Sequence, residues 1–104
     1  MDKVVRDGKV AVLYSPGYGA GWYSWNTDVK ECLFHPKIIE MVEQDKRNDI
    51  TDEFCEALFK VGYFFAGGAK QLRIEWLPEG TPFTIEEYDG SEQVTTLDAL
   101  QIVA

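Results

Sequence analysis

Asp7-Gly8 and Asp89-Gly90 each separate two segments of strand character, one pair near either end of the 104-residue chain. Asp-Gly suits the positive backbone angles of a type I′ turn, whose twist matches two paired antiparallel strands. The first dipeptide divides Lys3-Val4-Val5-Arg6 from Lys9-Val10-Ala11-Val12-Leu13-Tyr14, and the second divides residues 82–88 from residues 91–97. A chain hairpinned at both ends builds mostly antiparallel sheet, which argues against a doubly wound parallel fold.

Between the hairpins the apolar period changes from two to 3.6. A helix is expected from His35-Pro36, because proline suits the first helical position, where its missing N–H is not needed. Ile38, Ile39, Met41 and Val42 then form an apolar stripe, with Lys37, Glu40 and Glu43 in water. Asn48-Asp49 breaks the run. A second helix follows, capped by Asp49 or Thr51, with Asp52 and Glu53 in its first turn. Ile50, Phe54, Leu58 and Val61 recur at helical spacing, Cys55 and Phe59 widen the stripe, and Gly62 is placed to end it. Residues 63–68 are short and apolar, either a strand or a buried connection.

Residues 71–77 alternate, with Leu72, Ile74 and Trp76 on one face and Gln71, Arg73 and Glu75 on the other. Pro78-Glu79-Gly80-Thr81 carries turn chemistry. Trp22 to Asn26 alternates too and is expected as a short strand. The expected architecture is one α+β domain over residues 1–104, in the order ββ(β)-αα-βββ. Its mostly antiparallel sheet has about five to six strands, with two consecutive helices on one face and the other face not required to be covered.

At 45% hydrophobic and 27% charged residues, the chain has the composition of a folded domain with a single core. No apolar run approaches the roughly 20 residues of a membrane span. Met1-Asp2-Lys3-Val4-Val5-Arg6 lacks the apolar stretch of a secretory signal, so a soluble cytoplasmic protein is expected. The net charge of −8, with Lys46-Arg47 the only adjacent basic pair, argues against nucleic acid as a partner. Cys32 and Cys55 are too few for a disulfide framework and read as buried thiols.

The run Tyr14-Ser15-Pro16-Gly17-Tyr18-Gly19-Ala20-Gly21-Trp22-Tyr23-Ser24-Trp25 is the region to search for a site. Alternating glycines allow unusual backbone angles or a close approach to the main chain. Tyr18, Trp22, Tyr23 and Trp25 are the candidate binding residues, because aromatic walls with few polar groups line ligand and partner sites. The same residues equally suit a tight turn that folds the aromatic segment back onto the sheet. The glycines follow neither the dinucleotide fingerprint nor the P-loop, so no cofactor is expected.

Cys32-x-x-His35 has ligand types at plausible spacing, but two cysteines and one histidine fall short of the four ligands of structural zinc. No metal site is expected. As a thiol nucleophile pair, Cys32 and His35 lack an identifiable orienting group and oxyanion donors. Glu75, Glu79, Glu86, Glu87, Asp89 and Glu92, around the C-terminal strands, show no pair set apart for general acid–base work, and Glu86-Glu87 puts at least one side chain on a solvated face.

Residues 5–22, with Ile74-Glu75-Trp76-Leu77-Pro78-Glu79-Gly80-Thr81 and Ile85-Glu86-Glu87-Tyr88-Asp89-Gly90, resemble small hypothetical proteins of bacteria, phages and mobile, integron-type gene cassettes. That group has no assigned activity, so the resemblance carries over no catalytic residue; it implies a small stand-alone accessory product. The functional expectation is a non-enzymatic binding or protein-interaction module using residues 14–25. The alternative is a small enzyme or small-ligand binder with a cleft near Cys32 and His35. The expected partner is a second copy of the chain or another protein. The apolar tail Leu97-Asp98-Ala99-Leu100-Gln101-Ile102-Val103-Ala104 either crosses to a partner in a homodimer or docks on its own sheet.

Overall fold

In a computed structural model describing residues 2–96 and 102–104, both Asp-Gly dipeptides form two-residue turns. Their φ angles are 52° and 76° at Asp7 and Gly8, and 50° and 83° at Asp89 and Gly90. The element order is β1 (Val5–Arg6), β2 (Lys9–Tyr14), α1 (Pro36–Glu43), α2 (Asp52–Phe59), β3 (Arg73–Pro78), β4 (Pro82–Tyr88), β5 (Ser91–Thr95) and β6 (Ile102–Val103). Short 3-10 turns fill several of the connections.

The α+β class holds, but the single expected sheet is two. Strands β1-β2-β3 form one three-stranded antiparallel sheet and β5-β4-β6 another. The division falls at the turn after β3, where Gly80 has φ 89° and Thr81 N–H donates to the Pro78 carbonyl at 3.1 Å. Pro78 and Pro82 bracket that turn and bring no N–H, so one ladder cannot run through it.

β2 lies at the centre of the first sheet, and Val10, Ala11, Val12 and Leu13 are all fully buried. Ala11 and Leu13 pack with Ile38, Ile39 and Val42 of α1 and with Cys55 and Phe59 of α2. Val10 and Val12 join Leu77, Leu33, Phe34 and, from the second sheet, Phe83 and Ile102. The second face, which the sequence left without a cover, is therefore covered as well. An unbroken apolar run is the pattern of a strand buried on both sides.

Both helices start as their caps require. His35 Nδ1 accepts the Lys37 N–H and Thr51 Oγ1 accepts the Phe54 N–H, each at 3.1 Å. A threonine cap such as Thr51 contributes about 1 kcal/mol. α2 stops before the expected Gly62: Lys60 takes the left-handed conformation (φ 57°) and its N–H donates to the Glu56 carbonyl. Residues 63–68 are a connection, not a strand. In place of a ladder, Phe64 N–H donates to Glu56 Oε2 at 3.1 Å and Ala66 N–H to Asp52 Oδ1 at 2.7 Å.

On the edge of the first sheet Arg6 makes a two-point ion pair with Glu43, at 2.6 and 2.9 Å, while covering the Trp76 ring. That contact ties β1 to α1 and holds the Glu43 carboxyl below its usual range. At the other end β6 pairs with β4, Phe83 facing Ile102, and Ile102 and Ala104 are buried on their own domain. Residues 97–101, which include the end of the expected strand 91–97 and most of the apolar tail, lie outside the described residues. Among the described residues no helix is long and apolar enough to cross a membrane.

Candidate functional site

The glycine and aromatic loop is laid across the β4–β5 hairpin and pinned there by one carboxylate. Glu92, 2% exposed, accepts from Ser15 N–H (2.9 Å) through Oε1. Through Oε2 it accepts from Trp22 N–H (2.7 Å), Ser24 N–H (2.8 Å) and the Ser24 hydroxyl (2.6 Å). Glu92, to which the sequence assigned no role, is thus a buried carboxylate. Residue 92 shares the inward face of β5 with Val94, and the donors of the loop replace the water a buried carboxylate loses.

Further bonds fasten the loop along its length. Ser91 Oγ donates to the Pro16 carbonyl at 2.6 Å, Gly19 N–H to the Asp89 carbonyl at 2.8 Å, and Glu92 N–H to the Ser15 carbonyl at 2.8 Å. Glycine is required where backbones touch. A Cβ on Gly90 would overlap Ala20 N, and one on Gly68 would sit 2.6 Å from the Gly21 carbonyl oxygen.

Tyr23–Trp25 forms a 3-10 turn instead of the expected strand, closed by Asn26 N–H donating to the Tyr23 carbonyl. The backbone curves so that several of its donors converge on Glu92, which a straight strand does not allow. The four candidate aromatics consequently separate. Trp22 is fully buried, its Nε1–H donating to the Cys32 carbonyl at 2.7 Å and its ring edge-on to Phe64. Tyr23 is half-buried, and burial pushes its phenol above the ordinary range. Trp25 is partly exposed and stacks on Phe65 at 5.3 Å, whose backbone Asn26 grips through both ends of its amide. Tyr18 is 71% exposed.

Gly17 and Tyr18 open onto different surfaces. Tyr18 lines a cleft of about 250 Å³ with Tyr88, Glu86, Glu87 and Gln93. Pro16 and Gly17 line a groove of about 500 Å³ with Asp45, Arg47, Lys70, Gln71, Leu72 and Arg73. Neither Tyr88 nor the charged residues of that groove, Asp45, Arg47, Lys70 and Arg73, were singled out from the sequence as site residues. The exposed, even-numbered face of β4 offered a signal only for Tyr88.

A third cleft, about 440 Å³, has His35 beside Glu31, Lys37 and Glu40, but Cys32 is not on its wall. His35 is occupied as a helix cap and rests edge-on against Phe59. Cys32 and Cys55 are free and buried, and burial pushes both thiols up, Cys32 well above its range and Cys55 to about 12. A thiol that keeps its proton is a poor nucleophile. Among the described residues no group of three or more His, Cys, Asp and Glu is placed to hold a metal ion.

The Cys55 shift has a consequence for stability. The folded chain keeps this proton up to about 12, whereas an ordinary thiol releases it near 9.0, so alkali favours unfolding. The stability linked to Cys55 is complete below pH 9.0 and is lost as the pH rises toward 12. The slope approaches about 1.4 kcal/mol per pH unit at most. Urea midpoints followed into that range should fall more steeply for the wild type than for Cys55→Ala; parallel curves would exclude the thiol as the cause.

Comparison with protein-family models, with curated proteins and with solved structures finds no match to this chain.

Proposed function

We propose that the chain is a non-enzymatic protein-interaction module whose contact surface is the Tyr18–Tyr88 cleft, and that it takes a lysine- or arginine-bearing segment of another protein. The observation that carries this is the pair of tyrosines, 71% and 78% exposed, with Tyr18 on the loop that Glu92 holds and Tyr88 on β4 opposite Ser91. Glu86 and Glu87 stand on the same cleft. A cation over an exposed aromatic ring gains about 0.5–1 kcal/mol. The carboxylates add little individually at a surface, but a net charge of −8 steers basic partners toward it. Self-association remains the second partner reading; with residues 102–104 engaged on their own sheet, it rests on strand edges that have no ladder partner among the described residues.

The test is titration with a short Lys/Arg peptide and with its Asp/Glu counterpart, followed by the NMR signals of the tyrosine rings. Only the basic peptide should bind. Tyr18→Ala and Tyr88→Ala should each weaken it by about two- to fivefold. Tyr63→Ala, equally exposed at 72% but outside the cleft, should leave binding unchanged. Equal losses at all three tyrosines, or none, would rule out the cleft.

A further inference from the structure

We infer that the groove between Gly17, Arg47 and the segment Lys70 to Arg73 is a binding site for a small phosphate-bearing anion. In a molecule of net charge −8, three of its ten cationic side chains face this one groove against a single carboxylate, Asp45. The excess of two positive charges matches a phosphate monoester dianion. The volume of about 500 Å³ is that of small-molecule sites. A polyanion is disfavoured, because the rest of the surface repels it.

The groove is built rather than incidental. Arg47 is half-buried and held from two sides: Nε–H donates to the Leu72 carbonyl at 2.9 Å and Nη1 to Asp45 at 2.6 Å. Its guanidinium plane is thereby preset, and Nη2 has no partner among the described residues. A fixed guanidinium loses less freedom on meeting a phosphate than a mobile one. Lys70 and Arg73 are exposed and make no ion pair among the described residues. The fourth donor is the Gln71 amide, which lies so close over Gly17 that any Cβ there would overlap its Oε1.

The experiment is an NMR titration of the ¹⁵N-labelled chain with inorganic phosphate, with sodium chloride at matched ionic strength, and with succinate. Phosphate should give saturable, millimolar shifts at the Gly17 and Gln71 amides and at Arg47 Nε–H. Lys70→Gln and Arg73→Gln should each weaken it by about three- to tenfold. Both side chains are exposed, so spectra elsewhere should stay unchanged. Lys9→Gln, on a separate cleft beside Trp76, should bind as the wild type does. Shifts reproduced by chloride, or indifferent to Lys70 and Arg73, would overturn the site. Equal affinity for succinate would overturn the assignment to phosphate.

Discussion

Glu92→Gln should lower the unfolding free energy by about 2–4 kcal/mol, although it exchanges only one oxygen for an amide group. The carboxylate accepts from Ser15 through one oxygen and from Trp22 and Ser24 through the other. An amide can present an acceptor to only one of these sides. In its better orientation the NH₂ faces the Ser15 N–H, so two donors confront each other in a buried site. Hydrogen bonds to a charged group are worth about 1.5–3 kcal/mol each, and the easier burial of a neutral side chain offsets only part of that loss. Glu92→Ala removes every acceptor and should cost about 3–5 kcal/mol. Urea unfolding at neutral pH measures both, and hydrogen exchange at Trp22 and Ser24 should accelerate first as the loop lifts. A Glu92→Gln change within about 0.5 kcal/mol, the ordinary range of surface substitutions, would mean that the carboxylate does not pin the loop.

Trp22→Ala should be at least as damaging, at about 3–5 kcal/mol from the lost apolar volume alone. The Cys32 carbonyl, which accepts from the indole at 2.7 Å, is then left without its donor in the core, adding about 1 kcal/mol or more. Against a total stability on the order of 5–15 kcal/mol, this brings the domain near the edge of folding. Trp22→Phe keeps most of the packing on Phe64 and loses the hydrogen bond, so about 1–2 kcal/mol is expected. Trp25→Ala loses a partly exposed stack and should cost about 1 kcal/mol. Denaturation midpoints of the three variants should fall in that order. A Trp25→Ala loss equal to that of Trp22→Ala would contradict the division of the loop into a buried and an exposed aromatic.

The stability and binding effects are separable. Tyr18 and Tyr88 are exposed, so their truncation acts on partner binding with little change in folding. Glu92 and Trp22 act the other way: their loss weakens the platform, and binding falls because the cleft loses its shape. A Glu92 variant that binds the basic peptide as tightly as the wild type would detach the cleft from the latch.

What the sequence determined by itself was local. The Asp-Gly turns, a cap at Asp49 or Thr51, Pro36 at the head of α1 and the stripe from Ile38 to Val42 each depend on residues within about one helical turn or one hairpin. Those interactions are the same in a peptide as in the domain. The unbroken run from Val10 to Leu13 is the pattern of a strand covered on both faces, but the second cover, Phe83 and Ile102, comes from a sheet that the sequence did not separate from the first. The tertiary structure alone decided where the two halves meet. Ser15 and Glu92 are 77 positions apart, and no periodicity in either segment announces that the backbone of one will solvate the carboxylate of the other. Tyr18 and Trp22 share one loop and one chemistry, yet one is 71% exposed and the other fully buried, because long-range contacts set the path of the loop. The basic groove draws Gly17, Arg47 and Arg73 from three distant segments. Local propensity acts between near neighbours, whereas a site is made by closing long loops, and only the packed core determines which of those closures are made.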